Sequence, residues 1–346
     1  TMQAFVIPGE FGLDRLARVD RPIPAPGPNE VLIRVKAASL NARDLGVIGG
    51  FYNPDLKGPL IPVSDGVGEV VKLGEGATRF GLGDRVSPIF TQSWIAGEAT
   101  QANWTSTLGS PLDGLLAEYA VFHEERLVLA PGHLTDEEAA ALPCAGVTAW
   151  HAIVEEGQVK AGDTVVVQGT GGVSLFALQF AKLQGARVIV TSSSDEKLER
   201  AIALGADHGI NYKDNPDWND AVLSYTEGQG ADHIVDLGGA ATLARSIASL
   251  RVGGRISLVG LLSGGKVEDF PIVPAILRKA RLQAINVGSR EMFEAMNRAI
   301  SQHALRPVVD RVFPFSRSVD ALRHLQNESY FGKIAIRFNQ NEISSG

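Results

Sequence analysis

The chain has 346 residues, 45% of them hydrophobic and 21% charged, with a net charge of −7 and a single cysteine. That length and composition suit a globular protein of two domains, and an acidic balance with no Lys/Arg-rich run argues against nucleic-acid binding. No apolar run reaches the roughly 18 residues of a membrane span, the first residues lack the basic and apolar regions of a signal peptide, and Cys144 alone excludes an intrachain disulfide, so a reducing cytoplasm is the expected setting.

Pro22, Pro24, Pro26 and Pro28 mark an extended, irregular opening. Residues 31–37, Val-Leu-Ile-Arg-Val-Lys-Ala, alternate like a half-buried strand, and 67–71 read as another. Gly74, Gly76, Gly81 and Gly83 punctuate the next stretch. Short strands between Gly and Pro turns predict a compact, mostly β domain over residues 1–126.

From about residue 127 the pattern changes to βα alternation, and a dinucleotide-binding domain is expected over 127–302. Its most specific stretch begins at Thr164. Residues 164–168 are a β-branched strand, 169–174 are Gly-Thr-Gly-Gly-Val-Ser, 175–183 read as a helix, and 187–191 as a second strand. A glycine turn in that setting cradles a pyrophosphate: Gly169 makes the tight turn, Gly171 admits the phosphates, and the helix N-terminus offers N–H donors. Gly169, Thr170, Gly171, Gly172 and Val173 are therefore the first candidate cofactor residues. The bland alternative is a Gly-rich βα turn with no ligand, and the strand, helix and strand around it weigh against that.

The tip of the second strand selects the dinucleotide. An NAD site ends here in Asp or Glu, bonded to the ribose 2′-hydroxyl. This chain has Ser192, Ser193 and Ser194, with Lys197 close behind. No carboxylate repels a 2′-phosphate, and hydroxyls with an ammonium can hold one. NADP(H) is expected over NAD(H). One serine can instead cap the helix that starts near Asp195.

Further strands are expected at 208–212, 233–236, 255–259 and 282–287, with helices at 195–204 and 240–250. Six strands is the count of a doubly wound, parallel Rossmann sheet. After residue 303 the chain returns to extended character, at 308–315 and 332–338, and 303–346 is expected to rejoin the first domain.

In this order the motifs resemble the medium-chain dehydrogenase/reductase superfamily over nearly the whole chain. Asn41-Ala42-Arg43-Asp44 sits in the place of that family's first catalytic loop. Asp65-Gly66-Val67-Gly68-Glu69-Val70 with Gly74 and Gly83-Asp84-Arg85-Val86 is similar to its glycine-rich signature. The run 141–150, Ala-Leu-Pro-Cys-Ala-Gly-Val-Thr-Ala-Trp, resembles the segment leading into the cofactor domain, and Gly332-Lys333-Ile334 is similar to its closing motif. The resemblance implies an α/β protein: a GroES-like, mostly β substrate domain beside the Rossmann domain, a cleft between them, and a homodimer built on the Rossmann sheet edge.

Zinc is the fork within that family. Zinc-dependent relatives take ligands from a Cys in the first loop, a His before the acidic residue of the glycine signature, and a Cys in the segment before the cofactor domain. The matching places here are Asn41, Ser64 and Cys144. Tetrahedral catalytic zinc takes three protein ligands of the N/S type, for which Asn and Ser are poor substitutes. Residues 91–113, where a structural zinc lobe would lie, contain no cysteine. No metal is expected, as in the quinone-oxidoreductase-like branch, although Gly169-Thr170-Gly171-Gly172 is closer to the zinc-type turn. Cys144 is read as a small packed side chain.

Without a Lewis acid, hydride delivery to an already polarised acceptor is the expected chemistry, a quinone or an α,β-unsaturated carbonyl of small, hydrophobic character. Asn41 is the expected hydrogen-bond donor to the acceptor oxygen, by resemblance and by its two N–H groups. Tyr52 is a second candidate, as donor or proton source, against plain packing on the loop 49–51. The resemblance further implies that Thr148, Gly260 and Leu261 approach the nicotinamide, that Val287 and Ser289 line the cofactor beyond the sixth strand, that Tyr212 stacks near the adenosine phosphate, and that Lys333 reaches the 2′-phosphate. The competing functions are an alcohol or aldehyde dehydrogenase of the zinc-type branch and a non-catalytic NADPH-binding scaffold.

Overall fold

A computed structural model of the protein describes residues 1–338. They form two compact units, Thr1–Val147 with the chain from Val287 onward, and Thr148–Asn286. The boundaries expected at 126/127 and 302/303 both fall inside the first of these.

The second unit is built on six parallel strands. In spatial order they are His208–Asn211, Arg187–Ser192, Thr164–Gln168, Ala231–Asp236, Leu250–Leu258 and Arg281–Ala284. Counted along the chain, that order is 3-2-1-4-5-6, which reverses direction between Thr164–Gln168 and Ala231–Asp236 and opens a crevice at their C-terminal ends. The inner strands are continuous apolar runs because helices cover both faces of a parallel sheet. Val166, Ile189, Ile234 and Ile256 lie buried against Trp218, Val222 and Ile247.

Several boundaries differ from the sequence reading: the fifth strand, expected at 255–259, runs Leu250–Leu258, and two further differences have a visible cause. The helix expected at 240–250 spans Leu243–Ser249. Gly239 takes φ +81°, Ala240 N donates to Gly264 O at 3.0 Å, and Thr242 Oγ1 donates to Asp236 Oδ1 at 2.7 Å, so residues 239–242 are held as a turn. The sixth strand stops at Ala284 instead of Val287. Ile285 N still donates to Leu258 O, but Val287 at φ +51° ends the extended run.

The first unit is a seven-stranded, mostly antiparallel sheet. Its order is Val309–Pro314, Lys333–Arg337, Glu30–Ser39, Asp65–Leu73, Arg85–Pro88 and Leu127–Leu129, with Tyr119–His123 also pairing with Glu30–Ser39. Met2–Val6 and Ala17–Arg21 form a separate ribbon. Ile33, Val35, Val70, Val86, Leu127, Ile334 and Ile336 build the core. Gly66, Gly68 and Gly74 of the signature are packing requirements. A Cβ on Gly66 would sit 2.8 Å from the Ala37 carbonyl oxygen, and one on Gly74 only 1.9 Å from that of Gly27. The strands cannot approach unless these positions lack a side chain.

This register assembles one end of the sheet. Ser39 pairs with Asp65 on one side and Ala335 on the other. Lys333, two residues before Ala335 on an antiparallel neighbour, comes level with residue 41. Asn41, Asp65 and Lys333 are therefore brought to the same edge by strand pairing alone.

Candidate functional site

In the parallel unit, the strand Thr164–Gln168 is fully buried and ends in the glycine turn. Gly169 at φ +75° adopts a conformation that costs an L side chain about 1–2 kcal/mol. Gly169 N donates to Thr191 O at 2.7 Å, and Ser174 Oγ closes the turn on Gln168 O at 2.8 Å. Gly171 is the N-cap of the 12-residue helix Gly172–Leu183, and a Cβ built on it meets no atom within 4 Å. The helix start thus faces open space, with unpaired backbone N–H groups and the positive end of the dipole, as a phosphate requires.

The neighbouring strand tips bring other expected residues close. Ser192 and Asn211 are paired in register, and Tyr212 N donates to Ser192 O at 3.1 Å. Ser192 Oγ accepts from Ser194 N, and Ser194 Oγ caps the helix Asp195–Ala203 by accepting from Lys197 N, both at 3.3 Å. Ser194 is therefore the serine that caps. Ser192 is buried, Ser193 and Lys197 are half-buried, and Tyr212 is exposed. Gly260 follows the fifth strand and donates its N–H to Asp236 O at 3.2 Å, with Leu261 exposed beside it. Thr148 is buried in the short helix Val147–Trp150.

Sequence reasoning misses Gln168 and Asp236, which lock the switch point. Gln168 Oε1 accepts from Leu237 N and Gly238 N at 3.1 and 3.2 Å, while its Nε2 donates to Ser246 Oγ at 2.9 Å. Asp236 accepts from Gly239 N, Thr242 Oγ1 and Ser246 Oγ. The available signal is a polar residue closing an otherwise apolar strand.

The first unit holds Asn41, Tyr52, Val287, Ser289 and Lys333. Val287 and Ser289 are buried, and Ser289 caps the helix Arg290–Gln302 by accepting from Met292 N at 3.2 Å. Tyr52 is 48% exposed. Its ring packs against Phe51, over the Arg43 guanidinium at 5.1 Å, and where a Cβ on Gly46 would intrude at 2.7 Å. Arg43 is itself pinned by Leu108 O and Ser110 O at 3.0 and 2.7 Å.

Lys333 corrects its expected role. It is 3% exposed, and its Nζ donates to Leu40 O and, at 2.6 Å, to Asn41 Oδ1. An ammonium so engaged inside this unit is not a solvated anchor for a 2′-phosphate. Around it lie two fully buried carboxyls. Asp65 accepts from Ser64 Oγ at 2.6 Å and from Cys144 N at 2.8 Å. Asp44 accepts from Asn41 N at 2.7 Å at the start of the helix Ala42–Ile48. Burial pushes the Asp44 carboxyl up to about 6 and raises that of Asp65, against the pull of Lys333. Burial first, then Asp65, drives the Cys144 thiol well above its ordinary range. Burial lowers Lys333, and Asp65 is the leading charge that sustains it.

Tested against a tetrahedral zinc, these donors do not fit. The amide oxygen of Asn41 faces an ammonium and Ser64 donates to Asp65, which leaves Cys144 as the one N/S-type donor of the three. Among the described residues, no three His, Cys, Asp or Glu side chains group as a metal site. No helix there is long and apolar enough to cross a membrane.

The alcohol dehydrogenase GroES-like domain family matches residues 27–132, and the zinc-binding dehydrogenase family matches 172–302. A zinc-type alcohol dehydrogenase-like protein of Schizosaccharomyces pombe is 44% identical over 334 residues, covering 95% of this chain and 96% of that one. A crystal structure described as a putative alcohol dehydrogenase of Sinorhizobium meliloti is 43% identical with a TM-score of 0.91, covering 97% and 98% of the two chains. A mycobacterial protein solved in complex with NADPH is 27% identical with a TM-score of 0.81, covering 97% of this chain and all of that one. The chain belongs to the medium-chain dehydrogenase/reductase superfamily and is an oxidoreductase.

Proposed function

We propose that the protein is a zinc-free, NADPH-dependent reductase that delivers hydride to a quinone or an α,β-unsaturated carbonyl. The observation that carries this reading is the Lys333–Asn41 pair, an ammonium on an amide, where zinc-type relatives carry their first metal ligand. Bound NADPH supplies the hydride; added at the β-carbon, it moves the C=C electron pair toward the carbonyl oxygen, and a solvent proton completes the α-carbon. The oxygen gains charge in that step, and Asn41 is the donor we assign to it. Tyr52, with its ring on Arg43, is the second candidate donor.

For the cofactor, the open helix start at Gly171 suits the pyrophosphate, with Gly169, Thr170, Gly172 and Val173 shaping the turn. Ser192, Ser193, Ser194, Lys197 and Tyr212 are assigned to the adenosine end, and Thr148, Gly260, Leu261, Val287 and Ser289 to the nicotinamide end. The mycobacterial relative solved with NADPH supports NADP(H). The second reading, a zinc-type alcohol dehydrogenase, is favoured by the 44% identity to the yeast relative. Parallel fluorescence titrations with NADPH and NADH, on metal-analysed protein, separate the two. NADPH should bind far more tightly. Ser192→Asp should weaken NADPH roughly tenfold by like-charge repulsion and spare NADH, with Tm recorded alongside; unchanged preference would refute the assignment of the strand tip.

A homodimer and a cytoplasmic setting complete the reading. The sheet ends in the exposed edge Arg281–Ala284, and the helix Ile272–Leu277 leaves Ile272, Val273, Ile276 and Leu277 exposed. An uncovered strand edge beside such a face favours pairing with a second copy. Sedimentation should give about twice the 36.8 kDa chain mass, and a monomer mass would exclude it.

A further inference from the structure

Among the described residues, Asn41 Nδ2 and Asp44 Oδ1 are the buried polar atoms of this cluster that lack a hydrogen-bond partner, and Asn41 Nδ2 is the donor of the two. Asn41 Oδ1 accepts from Lys333 Nζ at 2.6 Å. An ammonium has donors only, so the amide must turn its oxygen toward Lys333 and its Nδ2 away. That Nδ2 is buried and has no hydrogen-bond partner. Its one polar neighbour is the Asp65 carboxylate, which the Asn41 side chain stabilises weakly without a well-formed hydrogen bond. A buried amide donor left without an acceptor costs about 1–3 kcal/mol, and native proteins rarely keep one without a use.

The surroundings explain why the amide cannot simply rotate. Asn41 N is fixed by Asp44, and the backbone carbonyl of Leu40 accepts from the same ammonium. Register sets Lys333 level with residue 41. Asp65, itself held by Ser64 and the Cys144 N–H, supplies the charge that keeps the ammonium there.

We propose that the Lys333 ammonium stands in for the catalytic metal of zinc-type relatives, as a positioning residue that holds Asn41 by its oxygen so that Nδ2 donates to the substrate's carbonyl oxygen. The inference rests on the reductase reading above. Lys333 makes no bond to substrate. It fixes the orientation of the donor, and it polarises the amide so that the N–H is a stronger donor as charge develops on the oxygen. No proton changes hands at Lys333 or Asn41. The ligand class is a neutral carbonyl or quinone whose oxygen becomes anionic after hydride addition.

The test is a double-mutant cycle on kcat for an NADPH-dependent enone reduction. Asn41→Ala and Lys333→Met should each lower kcat roughly 100-fold, with the Kd for NADPH within about twofold of wild type, and the double variant should be no slower than the slower single. Losses that multiply would overturn the proposal, as would an undiminished kcat in Lys333→Met. Asn41→Asp is the variant that a structural role would tolerate, since it keeps an acceptor for the ammonium and lacks only the donor. It should fold and lose at least as much kcat as Asn41→Ala; wild-type kcat there would sink the idea even if Lys333→Met fails to fold.

A metal arm reads the same proposal without turnover. Wild-type protein dialysed against zinc chloride and then buffer should keep no stoichiometric zinc. Lys333→Met, freed of the repelling cation, should bind cobalt(II) at least about tenfold more tightly than wild type. Stoichiometric zinc in wild type, or equal cobalt affinity in the two proteins, overturns the inference whatever the substrate. A wild-type protein that reduces no enone or quinone removes the reductase reading and leaves this arm to decide.

Discussion

Gly171→Val should raise the Kd for NADPH about 100-fold, a loss near 2.7 kcal/mol, while unfolding free energy falls by no more than about 1 kcal/mol. The two effects separate because of what surrounds this glycine. Gly171 has φ −80° and ψ −170°, an extended conformation open to any residue, and an added Cβ meets no protein atom within 4 Å. The fold has little reason to object beyond a poorer N-cap. A pyrophosphate drawn to the helix N-terminus has every reason to, because the added side chain fills the space its oxygens need and screens the N–H donors. Gly169→Val is the control with the reverse signature. At φ +75° it forces an L residue into the left-handed region, so stability should drop. Fluorescence titration with thermal unfolding on both variants reads the contrast. If Gly171→Val binds NADPH like wild type, the phosphates lie elsewhere and the turn is only structural.

The contrast between these two glycines also shows what the sequence can disclose. Residues 164–192 are legible because the signal is local: a β-branched strand, a turn that needs glycine, and an amphipathic helix succeed one another directly. The six-strand count comes from the same local alternation. Lys333 is legible as a motif residue but not in its role. Its contact with Asn41 spans 292 residues and exists only because Ala335 pairs with Ser39. Nothing in the identity of a lysine tells a solvated anchor from a buried cation. Gln168 and Asp236 escape sequence reasoning for the same reason, since their partners Leu237, Gly238 and Ser246 arrive through the neighbouring parallel strand and its connection. The helix at 243–249 and the sixth strand are shorter than their apolar runs suggest, because the turn that begins at Gly239 takes up 240–242 and Val287 adopts a positive φ.

Asp65→Asn should cost about 3 kcal/mol or more in urea unfolding at neutral pH, and adding Lys333→Met should return most of that loss. Both side chains are buried, Asp65 completely. Burial works against the charge on each, and each is the leading opposite charge that sustains the other. Removing one partner leaves an ammonium in a low-dielectric site with only Asp44 near it, and an uncompensated buried charge typically costs about 3–5 kcal/mol. Removing both leaves an amide and a thioether of similar volume, which such a site tolerates. The substituted amide can still accept from Cys144 N, so backbone satisfaction is not the variable. Additive losses in the double variant would mean that Asp65 stabilises the fold through Ser64 and Cys144 alone, and that the ammonium is held by Leu40 and Asn41 without it. Recovery in the double variant would show a paired charge that stability does not require. Such recovery would agree with the proposal that the pair is kept to orient the Asn41 amide toward a ligand oxygen, not for the cohesion of the core.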